Sequence, residues 1–381
     1  MRAGDTIMTA SSFANADDAT VEAAPAARAA GRTLDFVTHA RGIAIAIIVL
    51  GHCFALSWGT YQGEPSELDL LFNMITGGTA LFVFISGLIF HHVFYRRFDY
   101  GPFMANKAQR VFLPYVIITT FLFASMALHD ELPFGDLPSA GHYINYVVLV
   151  ATGQAGLSLW YIPFIALIFV LSPVFVRFIE ARPRTQLGWL AASFLVGLLV
   201  NRSPQGTDPV QCVLYFGFYY LLGIYASIHL SAFAQFASRR SVLICCAAAW
   251  MALSQIQIEQ GHLGNYTGGY FEKTGFNYMY PQKVALIVLL FGLLIRFRDA
   301  LGASAAGHAL ERLAAASFPI FFLHNVVIAV YGNVFGDGAL DLGAKYLTLA
   351  FWFAVVLGST YLLTLWLKRL LKDKSTYVIG G

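Results

Sequence analysis

The chain has 381 residues, of which 58% are hydrophobic and only 12% charged, and its mean hydropathy is +0.65. Soluble domains carry about 25% charged residues, so this chain lacks the charge to cover a water-facing surface and has to face lipid. A formal net charge of +3, with no basic stripe interleaved with aromatics, excludes nucleic acid as a partner.

Residues 1–32 are rich in Ala, Asp, Ser and Thr and show no apolar periodicity. They lack the apolar core of a signal peptide and are expected to form a disordered cytoplasmic tail. From there to residue 375 the chain alternates apolar runs with short polar breaks. A spanning helix needs roughly 20 residues. By that measure the runs predict about ten transmembrane helices, near 37–58, 71–94, 111–128, 155–178, 187–201, 210–229, 241–256, 282–296, 315–335 and 346–369. The expected fold is therefore an all-α polytopic membrane protein with one transmembrane domain, 33–375. The fifth, seventh and eighth runs are short, and 143–154 reads as a partial or re-entrant helix.

Charge orients this bundle. With the N-terminus inside, nineteen Lys and Arg residues fall on the inner side and four on the outer (Arg202, Lys273, Lys283 and Lys345). By the positive-inside rule both termini are cytoplasmic. The outer breaks differ in kind. Residues 129–142 hold His129, Asp130, Glu131, Asp136 and His142, and 257–281 are rich in Gly and aromatics such as Tyr266, Tyr270 and Phe276. Those aromatics suit either sugar rings or an interfacial belt. Asn201-Arg-Ser203 and Asn265-Tyr-Thr267 match the glycosylation sequon. Cys53, Cys212, Cys245 and Cys246 have no metal or redox spacing and read as small buried hydrophobes. No metal site is expected.

Ionisable side chains within a membrane cost at least a few kcal/mol each, so they point to function. Arg41, left over from that count inside the first run, and His52 are eleven residues apart. Eleven steps of about 100° make three turns plus about 20°, with a rise of roughly 16 Å, so both lie on one face at different depths. Arginine holds phosphate by paired hydrogen bonds, and histidine exchanges a proton near neutral pH. A ligand with an anionic head and a reactive end, such as an acyl-coenzyme A, fits that spacing. The alternatives are a snorkelling anchor for Arg41 and an interhelical hydrogen bond for His52.

Further along, Phe82-Val-Phe-Ile-Ser86-Gly87 places small residues in the second run, where they serve packing or a cavity. Lys107 and Arg110 are three apart at a helix start and are expected to share a face, either as a phosphate clamp or as ordinary inner charge. Leu159-Trp160-Tyr161 opens a later run as an interfacial anchor or a cavity wall. His324, in Ser317-Phe-Pro-Ile-Phe-Phe-Leu-His324-Asn325, is a second intramembrane histidine. It either lines the same cavity or joins two helices.

These pieces, in this order, resemble the acyltransferase-3 family of membrane-bound acyltransferases. The family's Arg, ten residues, then His is matched by Arg41 and His52. Its Phe-x-x-Ser-Gly helix ending is similar to Phe82–Gly87, and its basic pair with a following proline to Lys107, Arg110 and Pro114. Its Leu-Trp-aromatic entry looks like Leu159–Tyr161, and its late Ser-Tyr-x-Ile-Tyr-Leu-x-His pattern like Ser317–His324. The chain departs from the pattern at Thr38, where an acidic residue is common, at Lys107, where Arg is common, and at Phe318 and Phe321, where Tyr is common. The likeness runs from about 34 to 370.

The resemblance implies O-acylation, often O-acetylation, of a cell-envelope or secreted polysaccharide or a lipid-linked sugar, in the bacterial cytoplasmic (inner) membrane. Acetyl-CoA or another acyl-CoA is the implied donor, and no cofactor is held permanently. By the same resemblance Arg41 and His52 are the catalytic candidates, and Lys107, Arg110 and Arg41 bind the coenzyme. Ser86, Trp160, Tyr161 and His324 are cavity candidates. A transporter of a glycan, lipid or proton-coupled solute is the rival reading. No twofold repeat of the span pattern and no matched pair of broken helices supports it in the sequence.

Overall fold

The computed structural model describes residues 35–58, 68–128, 132, 141–272, 275–335 and 345–380. The expected tail, 1–32, and the outer residues His129, Asp130, Glu131, Asp136 and Lys273 lie outside the described residues.

In chain order the helices are α1 (Asp35–Trp58), α2 (Asp69–Ile75), α3 (Thr79–Ile89), α4 (Tyr100–Lys107), α5 (Leu113–Leu128), α6 (Gly141–Thr152), α7 (Tyr161–Val170), α8 (Ser172–Glu180), α9 (Pro183–Leu199), α10 (Pro209–Ile228), α11 (Leu230–Ala237), α12 (Arg240–Glu259), α13 (Met279–Arg296), α14 (Arg298–Gly302), α15 (Ala305–Ala315), α16 (Ser317–Phe335), α17 (Lys345–Leu371) and α18 (Ser375–Val378). Among the described residues the structure is all-α, with one isolated backbone bridge, Arg202 to Thr267.

Among the described residues eight stretches are long and apolar enough to cross a membrane, and α7 with α8, bent by 55° between them, make a ninth if taken as one span. The fifth expected span, 187–201, is α9, a helix of 17 residues. At 1.5 Å per residue it covers roughly 26 Å, short of the ~30 Å hydrocarbon core. The chain is thus a polytopic membrane protein, with eight to nine full-length spans among the described residues. The partial helix expected at 143–154 is α6, of 12 residues.

Local sequence explains where several helices start. Asp208 accepts hydrogen bonds from the backbone N–H groups of Val210 and Gln211, with Pro209 in the first turn of α10, the usual pairing of a side-chain cap with a proline that needs no partner. Asp99 and Ser304 cap α4 and α15 in the same way.

Helix α3 packs tightly along α10. The crossing is reciprocal: a Cβ on Gly87 would strike the carbonyl of Tyr220, and a Cβ on Gly223 would strike that of Phe84. Two glycines therefore let the backbones touch. Hydrocarbon offers little hydrophobic drive between helices, so such close packing is what holds them together.

Two spans are interrupted, which the sequence reading did not anticipate. Between α2 and α3 the chain turns through Thr76, Gly77 and Gly78, and Gly77 has φ +79°. Irregular backbone at membrane depth is tolerated only where it is buried in protein or lines a cavity. Two π turns, Phe90–Phe94 after α3 and Ala108–Phe112 between α4 and α5, widen the helices at one end of the bundle.

Candidate functional site

Arg41 and His52 leave α1 toward the bundle interior and enter two different chambers. Arg41, Ser86 and Lys107 line a cavity of about 270 Å³ between the two π turns. His52 lines a second cavity of about 220 Å³ together with Trp160, Arg202 and the broken Thr76–Thr79 segment. Phe82, Tyr161 and Phe321 line both, so the chambers share an aromatic wall. The Phe82 and Phe321 rings lie 6.5 Å and 5.6 Å from that of Tyr161.

In the first chamber Arg41 donates from Nη2 to Ser317 Oγ (3.0 Å) and to the Ala314 carbonyl (3.3 Å). It closes the C-terminal end of α15 and ties α1 to the start of α16, where a cation meets the negative end of the helix dipole. Ser86 Oγ donates to the Phe82 carbonyl at 2.9 Å and stands 3.4 Å from the Tyr161 hydroxyl, so it supports the shared wall.

The Lys107 ammonium sits over three rings, 4.3 Å from the centroid of Phe94, 5.2 Å from Phe103 and 4.9 Å from Phe169. Cation–π attraction of this kind is worth about 0.5–2 kcal/mol. Arg110 is exposed and lies off the chamber. The expected shared face fails because the π turn Ala108–Phe112 starts between the two. Three residues no longer span the same angle once hydrogen bonds run to i+5.

The two intramembrane histidines meet behind the wall of the second chamber, which His52 lines and His324 does not. The rings of His52 and His324 are 5.4 Å apart at 34°. His324 is fully buried, and its Nδ1 lies 2.9 Å from the Ile320 carbonyl. A carbonyl only accepts, so Nδ1 carries the proton in the neutral ring and Nε2 has a lone pair. That Nε2 has no hydrogen-bond partner. Next to it, Asn325 accepts from the Ser158 backbone N–H (3.0 Å) and donates to Ser158 Oγ (2.7 Å). This pins the Leu159-Trp160-Tyr161 entry to α16.

Sequence reasoning missed Arg202, which it counted only as an outer charge. Its guanidinium lies 4.5 Å from the Trp160 ring centroid, and Trp160 stacks in turn on Phe216. The backbone around it is stitched to the aromatic loop: Arg202 donates its N–H to the Tyr266 carbonyl and accepts from Gly268. Asn201, in the first sequon, has its side-chain amide turned inward to the Gly269 and Glu272 carbonyls, an orientation unsuited to glycosylation. Burial holds Arg202 below the usual guanidinium range. Among the described residues no group of three or more His, Cys, Asp or Glu residues is arranged to hold a metal ion.

The chain matches the model of a family of membrane acyltransferases, described as an acyltransferase domain, over residues 34–379. No curated protein and no solved structure matches it. A match over nearly its whole length identifies the chain as a member of the acyltransferase-3 family.

Proposed function

We propose that this membrane acyltransferase moves an acyl group, in the first instance acetyl, from acyl-coenzyme A to a hydroxyl of a cell-envelope or secreted glycan. One observation carries the reading: a chamber holding Arg41 and Lys107 and a chamber holding His52 meet at the wall of Phe82, Tyr161 and Phe321. The first offers cations and an aromatic lining to a phosphate-bearing donor with an apolar arm. The second offers a base beside a polar, irregular segment suited to a hydroxyl-bearing acceptor. The wall is where the two would be brought together, and positioning of that kind lowers a bimolecular barrier strongly.

In this reading the acceptor hydroxyl attacks the thioester carbonyl, and His52 takes its proton as general base. The carbon–sulfur bond breaks, the acyl ester forms, and the departing thiolate recovers the proton from His52 as free coenzyme A. His324 holds the His52 ring through their contact. Arg41 binds donor phosphate, with Lys107 at the same chamber. The nineteen-to-four distribution of Lys and Arg supports a bacterial cytoplasmic membrane with the Arg41 chamber facing the cytoplasm.

The test is the ester-linked acyl content of the envelope in a strain lacking the protein, complemented with wild type or His52→Ala at equal membrane abundance. Restoration by wild type alone supports the reading. Equal restoration by both removes His52 from the mechanism, and no change in any ester favours a transporter.

A further inference from the structure

The His52 chamber contains a cation with no counter-charge among the described residues. Arg202 lines it, stacked on Trp160, and its Nε is buried without a hydrogen-bond partner. Among the described residues no carboxylate comes within ion-pair distance of it, the ion pairs there being His39–Glu311 and Arg298–Asp299. The acidic residues nearest along these loops are committed elsewhere. Asp208 uses Oδ1 on the backbone N–H groups of Val210 and Gln211 and Oδ2 on the Tyr270 hydroxyl. Glu272 accepts from the backbone of Gly269.

A buried unpaired charge is strongly unfavourable unless something else brings its partner. The same chamber has a second anion-favouring feature. Helix α3, eleven residues long, begins at its edge with no side-chain cap, so the positive end of its dipole lies at the chamber, although the N–H groups of Ala80 and Leu81 are bonded to the Gly77 and Gly78 carbonyls. Arginine's fork, held over an aromatic face, matches carboxylate or phosphate.

We infer that Arg202 is the anion-binding residue of the acceptor chamber, and that the acceptor is an acidic glycan bearing a carboxylate or phosphate beside the hydroxyl to be acylated. This deepens the reading of the His52 chamber as the acceptor side and rests on it. It places the enzyme after the reactions that oxidise or phosphorylate the sugar, because the charge has to be present for the sugar to bind.

The experiment uses the full chain in lipid nanodiscs without any acyl donor, so a failure of acyl transfer leaves its result standing. Equilibrium binding is measured for three probes of one configuration: a uronic-acid glycoside, a hexose phosphate and the neutral hexoside. The wild type is expected to bind at least one anionic probe about tenfold or more tightly than the neutral one. Which anionic probe binds tells carboxylate from phosphate. Arg202→Met is expected to erase that preference and Arg202→Lys to keep part of it. Thermal unfolding of the empty protein guards against misfolding: Arg202→Met, which removes an unpaired buried charge, is expected to unfold no earlier than wild type. The inference is overturned if the neutral probe binds as well as both anionic ones, or if Arg202→Met weakens all probes alike.

Discussion

His52 and His324 stand ring to ring, 5.4 Å between centroids, although one belongs to α1 and the other to α16 near the far end of the chain. The Ile320 carbonyl fixes the tautomer of His324, so the pair presents a defined lone pair beside the base. If they act as a unit, His52→Ala and His324→Ala should each lower kcat by about 10²–10⁴-fold. The double variant should be little worse than either single one, as groups acting together are not additive. Multiplied losses in coenzyme A release by the double variant would show two independent roles.

Arg41 joins α1 to α16 as well as lining the donor chamber. Arg41→Lys keeps the charge but loses the fork that reaches Ser317 and Ala314 together. KM for acyl-coenzyme A should rise about tenfold with a smaller change in kcat. Ser317→Ala removes one hydrogen bond, about 1 kcal/mol, and keeps the guanidinium in the chamber. A KM increase in Ser317→Ala as large as in Arg41→Lys would assign the effect to helix placement rather than to the donor.

The two basic residues of the Lys107 segment should separate in the same assay. Lys107 faces the chamber inside its three phenylalanines, and Arg110 is exposed outside it. Lys107→Ala should raise KM for acyl-coenzyme A well above the value for Arg110→Ala, and Phe94→Leu should fall between them. Equal effects would mean that the pair acts as a clamp at the surface.

What could be read from the sequence follows the regularity of the backbone. Arg41 and His52 share α1, an uninterrupted helix, and angular counting puts both on one face, which the structure turns inward. Counting failed at Lys107 and Arg110 because a π turn leaves no simple trace in residue type. The break at Thr76–Gly78 does leave one, two adjacent glycines, but they stand inside a run long and apolar enough to read as a single span. The meeting of His52 with His324 depends on how α1 packs against α16, which no local pattern encodes. Arg202 was hidden by position: a basic residue in a loop reads as solvated, and only its stacking on Trp160 shows that the loop folds inward.

The reciprocal glycines of α3 and α10 predict a stability effect separate from catalysis. Gly223→Ala puts a methyl into the Phe84 carbonyl, so the two backbones must move apart along the seam. A cost of about 1–3 kcal/mol is expected, read as earlier thermal unfolding in detergent. Gly217→Ala on the same helix meets nothing nearby and should be neutral or slightly stabilising. Equal behaviour of the two would remove the crossing as the reason for the glycines.

The loop beside the acceptor chamber carries a pH dependence whose sign can be worked out. Burial opposes the charge on Asp208, but the Tyr270 hydroxyl and the N–H groups of Gln211 and Val210 outweigh it and hold the carboxyl below its usual value. The same bond to Asp208 pushes the Tyr270 phenol up to about 12. A lowered carboxyl gives stability that is complete above its unfolded value, about 4, and is lost as the pH falls through the folded one. A raised phenol gives stability that is complete below about 10 and is lost as the pH climbs toward the folded value. Wild type should therefore unfold later than Tyr270→Phe between about pH 4 and pH 10, with the gap closing on both sides. Because this bond anchors the segment that carries Arg202, acceptor binding should weaken in Tyr270→Phe across the same window. A gap in unfolding temperature that persisted unchanged into acid would mean that Tyr270 stabilises the loop by packing and not through Asp208.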